Sequence, residues 1–232
     1  MPLNIKVDDI TAYAGAVLPV SETLEDAIAA LPGLVGAWDA ADWAAGDWVA
    51  RLGGGRITLT GVASAARDGD TVLSFGLASR GVVNNAAGAA VVPAELVFAA
   101  RSYFSNTAAN FQKIFDLGTP EFFLRPTIPT PSWQYKNAAA VSTSVALAGG
   151  AAARWRTFAL TKVGTDAPQI EADGAVPVAI GPAGAALGAT TLAVGDASGG
   201  NGAVQDISRL IICTAGALTA AQRASIRQWL AM

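Results

Sequence analysis

The chain contains no histidine and a single cysteine, Cys213. Without imidazole there is no Ser-His-Asp or Cys-His constellation and no His-ligated zinc, and one thiol cannot form a thiolate cage or an internal disulfide. Cys213 ends the apolar run Leu210-Ile211-Ile212-Cys213 and is expected to be a buried core thiol. Charge is scarce too: 14% of the 232 residues are Asp, Glu, Lys or Arg, and the net charge is −3. The arginines stand singly, as at Arg51, Arg56, Arg67, Arg80 and Arg101, and no basic tract interleaves with aromatics, which argues against a nucleic-acid surface. The N-terminal segment lacks the basic start, apolar block and small-residue cleavage site of a classical secretion signal. The uncharged stretch 174–195 is cut by Pro177, Pro182 and several glycines, which argues against a membrane span.

What is present is apolar and glycine-rich, with 52% hydrophobic residues and 25 glycines. Much of the apolar content is alanine, so the core is less greasy than the percentage suggests. Strand-like segments separated by turn signals run through most of the chain: 34–38, 56–60, 71–75, 81–84, 94–102, 113–117, 121–126, 132–136, 142–147, 154–162, 169–172, 191–194 and 207–214. Turns are marked by Gly53-Gly54-Gly55, Asp68-Gly69, Asn84-Asn85, Gly149-Gly150 and Asp173-Gly174, and Pro126, Pro129 and Pro131 crowd one crossing. Many short strands without alternating helices predict an all-β, two-sheet antiparallel jelly-roll sandwich. Two helices flank it. At 21–31, Leu24, Ala27, Ile28 and Leu31 share a face, Thr23 and Asp26 form a cap signal, and Pro32-Gly33 ends the helix. Near the C-terminus, Thr219 and Gln222 give a capping-box pattern ahead of Ile226, Trp229 and Leu230. The expected division is an arm and short helix over 1–33 and a sandwich over 34–232. Leu3, Ile5 and Val7 alternate in the arm, either adding a strand to a partner or supplying one to the sandwich itself.

Five segments follow in order: Trp38-Asp39-Ala40-Ala41-Asp42 with Trp48; Trp155-Arg156-Thr157-Phe158-Ala159-Leu160-Thr161-Lys162 ahead of Asp173-Gly174; Leu192-Ala193-Val194-Gly195; Asp206-Ile207-Ser208-Arg209-Leu210-Ile211-Ile212; and the closing Leu218–Leu230 helix. Together they resemble the concanavalin A-like lectin/glucanase superfamily, especially its laminin-G-like modules, over roughly residues 34–232. The resemblance implies a jelly roll and leaves the activity open, because this architecture serves many functions. Retaining glycosidases of the superfamily carry a Glu-x-Asp-x-x-Glu strand. Here Glu22, Glu25, Glu95, Glu121 and Glu171 all lack an aspartate two residues on, so no catalytic residue is expected and the chain reads as a non-enzyme. Laminin-G-like relatives also use a calcium site on the sandwich rim. Asp196 and Asn201 in the 196–202 loop are the candidate donors, with Asp39, Asp42 and Asp116 as others, although Asp and Asn also populate glycine-rich turns for backbone reasons. No other cofactor is expected.

Glycan binding needs aromatic platforms and planar polar groups. Trp38, Trp155 and Trp229 lie among apolar neighbours and are expected in the core. Trp43, Trp48, Tyr103, Trp133 and Tyr135 stand in more polar, loop-bounded settings, and alternation puts Trp133 and Tyr135 on one strand face with Gln134 and Lys136 on the other. A lectin-like domain without export signal, disulfide or catalytic set suggests a phage virion component, a setting in which laminin-G-like sandwiches occur. That reading gives Leu3, Ile5, Val7, Leu24, Ile28 and Leu31 to assembly with other virion proteins and sister subunits, a trimer being expected, and turns the sandwich toward host glycans. The alternative is a secreted or cell-surface carbohydrate-binding module. Neither reading involves nucleic acid or membrane insertion.

Overall fold

The computed structural model describes residues 23–104, 112–117, 121–125, 132–136, 142–146, 153–184, 186–187, 190–196 and 202–232. Both helices start where their caps dictate. Helix α1 (Leu24–Ala29) opens on a reciprocal capping box between Thr23 and Asp26, and α2 (Ala220–Ala231) on the same device between Thr219 and Gln222. The hydrogen bonds from Thr23 hold the exposed Asp26 carboxyl below the usual carboxylate range.

The strands between them are β1 (Leu34–Asp39), β2 (Trp48–Val49), β3 (Arg56–Thr60), β4 (Ala63–Arg67), β5 (Asp70–Phe75), β6 (Arg80–Asn84), β7 (Leu96–Phe104), β8 (Gln112–Asp116), β9 (Glu121–Arg125), β10 (Ser132–Lys136), β11 (Ser142–Ala146), β12 (Arg154–Lys162), β13 (Gln169–Ala172), β14 (Val178–Ala179), β15 (Ala193–Gly195) and β16 (Gln205–Cys213). They form two eight-stranded sheets. One runs β14-β13-β12-β7-β16-β5-β4 with β1 also on β16, and the other runs β11-β10-β9-β8-β15-β6-β3-β2. The paired strands are antiparallel, and the result is the expected two-sheet jelly roll with a helix toward each end of the chain. Every strand expected from the sequence is present, though the one expected over 94–102 lies two residues later. The pattern does not contain the two-residue strands β2 and β14, nor β4, whose Ala63-Ser64-Ala65-Ala66 is poor in strand-forming residues and exposed. Strand β4 is held by a two-residue hairpin to β5: Asp68 and Gly69 take φ of +52° and +92°, the pairing that a type I′ turn requires.

The core lies between the sheets. Phe98, Phe115, Phe158 and Trp133 form a continuous aromatic layer, with ring centroids 4.7 Å apart for Phe98–Phe115 and for Trp133–Phe158. Each such ring contributes roughly 1.5–3 kcal/mol by leaving water. Trp38 and Trp48 lock the β1–β2 connection reciprocally: the Trp38 indole donates to the Trp48 carbonyl at 2.9 Å, and the Trp48 indole to the Asp39 carbonyl at 3.0 Å.

A second, smaller core lies on the outer face of the first sheet. There α1 and α2 press Ile28, Leu31, Ile226, Trp229 and Leu230 onto Ala37, Val97, Ala99, Ile211 and Cys213. Leu24, Ile28 and Leu31, expected to serve assembly, belong to this second core. Ile28 is fully buried and Leu31 nearly so, with Leu24 packed beside them, because α1 docks on α2 of its own domain. Leu3, Ile5 and Val7 lie outside the described residues, as do the Gly149-Gly150 turn and the Pro126–Pro131 crossing.

Candidate functional site: an aromatic and arginine patch on the open sheet face

The aromatic platform expected from the sequence is largely inside the protein. Trp133 and Tyr135 are 1% and 3% exposed and belong to the inter-sheet core, and Trp48 is fully buried. The two share one strand face, as alternation requires, but that face points inward, and burial raises the Tyr135 phenol to about 12. Trp43 is half-buried against the core, its indole donating to the Gly46 carbonyl at 3.0 Å. Tyr103 alone among the candidates stands on an open sheet face, and its partner there is Trp155, a residue expected in the core.

The outward positions of β7, read along the strand, are Val97, Ala99, Arg101 and Tyr103. The first two lie under the helices; the last two lie beyond them. β12 presents Thr161, Ala159, Thr157 and Trp155 in parallel, so that Trp155 falls directly opposite Tyr103. The rings meet edge to face at 5.8 Å. On the other side of β7, β16 carries a bulge at Ser208, whose hydroxyl donates to the Arg101 carbonyl at 3.3 Å. The extra residue brings both Asp206 and Arg209 outward while Ile207 and Leu210 stay in the core.

Each ring has a guanidinium against it, Arg101 over Trp155 at 4.4 Å and Arg67 over Tyr103 at 4.2 Å. Each guanidinium is held in turn by a carboxylate. Arg101 pairs with Asp70 at 2.7 Å, and Arg67 with Asp206 at 2.5 Å, the latter also accepting from the Ser74 hydroxyl at 2.6 Å. The bond to Asp206 pushes the Arg67 guanidinium pKa up. At the hairpin turn Asp68 accepts from the Trp155 indole at 2.9 Å. The patch is therefore a preassembled lattice of two rings, two guanidiniums and three carboxylates on β4, β5, β7, β12 and β16. The sequence signal that marks it is Arg101-Ser102-Tyr103, polar and aromatic residues with one parity on a strand that is otherwise apolar.

The residues expected to bind calcium take another arrangement. Asp196 is fully buried and Asp116 nearly so, and Lys113 Nζ lies 3.2 Å from the one and 3.1 Å from the other. An ammonium thus occupies the space between the carboxylates. Asp42 binds Arg51 through both its oxygens, and Asp39 pairs with Arg209 while capping the 3₁₀ turn Ala40–Asp42. Asn201 lies outside the described residues, among which no group of three or more His, Cys, Asp or Glu is placed to hold a metal ion. Two open clefts of about 600 and 560 Å³ lie elsewhere, one beside the start of α2 and one along Leu34, Val35, Val91 and Val92. Neither has an aromatic ring in its lining.

The fold defines a two-sheet antiparallel β-sandwich, and solved structures share it. Domain 4 of AbnA, a GH43 extracellular arabinanase from Geobacillus stearothermophilus solved with arabinotriose, matches with TM-score 0.59 at 15% identity over 83% of this chain and 97% of that one. The receptor binding domain of botulinum neurotoxin mosaic serotype C/D matches with TM-score 0.59 at 11% identity over 86% of this chain, and the Trypanosoma rangeli sialidase in complex with the inhibitor DANA with TM-score 0.53 at 11% over 85%. This chain spans about half of that toxin domain and a third of the sialidase. No protein-family model matches the sequence, and no curated protein does.

Proposed function

We propose that this domain is a non-enzymatic carbohydrate-binding module that meets its glycan at the Tyr103–Trp155 patch. The observation that carries the reading is the pairing of two half-exposed rings with guanidinium and carboxylate groups on the sheet face that the helices leave open. Sugars need this combination: rings take the C–H face of a pyranose or furanose, and planar polar groups exchange hydrogen bonds with its hydroxyls. The arabinanase domain, bound to arabinotriose, gives the same architecture a sugar ligand in another protein. An extracellular setting goes with this proposal. The particle-bound trimer expected from the sequence gains no support here, since the helix assigned to assembly packs inside its own domain.

The test is a glycan array followed by calorimetric titration of the best ligand against wild type, Trp155→Ala and Tyr103→Ala. Loss of a stacking ring is expected to weaken binding about tenfold or more, equivalent to about 1.4 kcal/mol, with little change in melting temperature. Unchanged affinity in both variants would remove the patch from consideration.

A further inference from the structure

Acidic and neutral sugars ask different things of a protein, and the charge balance of the patch distinguishes them. A carboxylated sugar is held by a guanidinium free to turn its paired N–H groups toward the ligand. Neither guanidinium beside the rings is in that state. Arg67 is neutralised by Asp206 and Arg101 by Asp70, while Asp68 adds a third carboxylate at the Trp155 indole. Farther along the same face, Arg209 is likewise paired with Asp39 at 3.2 Å. Counting the residues around the rings, two positive charges face three negative ones.

Resting on the glycan-binding reading above, we infer that the patch selects uncharged saccharides and discriminates against those carrying a carboxylate. An anionic sugar would have to displace an aspartate from its arginine, leaving that carboxylate uncompensated in a part-buried position, or else bind with its own charge against a net negative lattice. A neutral sugar meets no such cost. Its hydroxyls can donate to the remaining lone pairs of Asp70, the more open of the two paired carboxylates, and accept from guanidinium N–H groups not engaged by the aspartates, since each guanidinium carries five donors. The ion pairs then hold the polar groups in place for the sugar instead of competing with it.

The experiment compares matched ligands on the full chain: lactose against 3′-sialyllactose, and arabinotriose against trigalacturonate, titrated at two salt concentrations. Expected is binding of at least one neutral member, an acidic counterpart at least about tenfold weaker, and little dependence of the neutral affinity on salt, as for an uncharged ligand. Asp70→Asn, which frees the Arg101 guanidinium, is expected to narrow the gap between the paired ligands, while Trp155→Ala lowers binding of the neutral one. Acidic members binding as well as or better than neutral ones, with that binding lost in Trp155→Ala, would overturn the selectivity and leave the glycan site standing. Absence of binding by all four ligands, or binding indifferent to Trp155→Ala, would overturn the site and the selectivity together.

Discussion

One sheet face of this domain has two halves built to different rules. Over Ala37, Val97, Ala99, Ile211 and Cys213 the side chains are small or aliphatic, and two capped helices seal them from water. A few residues farther along the sheet, Arg101 with Asp70 and Arg67 with Asp206 form ion pairs, and the two guanidiniums lie against Trp155 and Tyr103, with no helix above them. The backbone is continuous across the divide, and the outward parity of β7 does not change. What changes is the means of satisfying the surface: burial on one side, mutual pairing of charged and aromatic groups on the other. Mutual pairing leaves the side chains accessible to a ligand, which burial does not.

The largest effect should come from breaking the sealed half. Trp229→Ala removes a fully buried ring from between α2 and the sheet and is expected to cost about 3–5 kcal/mol in urea unfolding. Next comes the opposite sheet, where Lys113→Ala leaves Asp116 and Asp196 without their shared ammonium. The expected loss is about 3 kcal/mol, and calcium added to the wild type should leave the melting temperature unmoved because Lys113 already fills the gap. A shift of several degrees with calcium would point to a cation site that these residues do not form.

The third test is pH. Burial raises the Cys213 thiol, beneath the helices, and the Tyr135 phenol, between the sheets, to about 12 each. Both groups ionise earlier in the unfolded chain, so their contribution to stability is complete below about pH 8.5 and is lost as pH rises toward 12. Unfolding at pH 8 and at pH 10.5 should differ by about 2–3 kcal/mol, and Cys213 should resist a thiol reagent at pH 8 until the protein unfolds. The smallest stability effect belongs to the open half: Trp155→Ala should cost less than about 1 kcal/mol, even though it is expected to damage binding most. A loss comparable to that of Trp229→Ala would show that the two halves are not built differently after all.

The strands, turns and caps were legible in the sequence because each depends on nearby residues: alternation, Asp-Gly and Asn-Asn turns, and Thr followed three positions later by Asp or Gln. Of the patch only Tyr103 was legible, for two reasons. A period of two divides a strand's side chains into two faces without saying which is inside. In β10 both sets are buried, Ser132 and Gln134 along with Trp133 and Tyr135, so the polar set did not identify the outer face. In β12 the clue misled, because the charged Arg156 shares the face of Phe158 and Leu160 and is 2% exposed. It reaches Asp173 at 3.0 Å, while burial lowers its pKa. Trp155, expected in the core for its apolar neighbours, takes the opposite, outward face. The second reason is register: Tyr103 and Trp155 are neighbours only because β7 and β12 pair as they do, and Asp206 and Arg67 join them from still more distant segments. The Lys113–Asp116–Asp196 group likewise depends on long-range contact between β8 and the segment after β15.

The bulge at Ser208 has a consequence for anyone moving this surface to another scaffold. Asp206 and Arg209 are separated by an odd number of positions and would face opposite ways on a regular strand, so copying side chains alone onto a straight β-strand would deliver only one of them. The portable unit is the strand together with its one-residue phase shift. Deletion of that residue would be a more complete knockout of the surface than any single side-chain replacement within it.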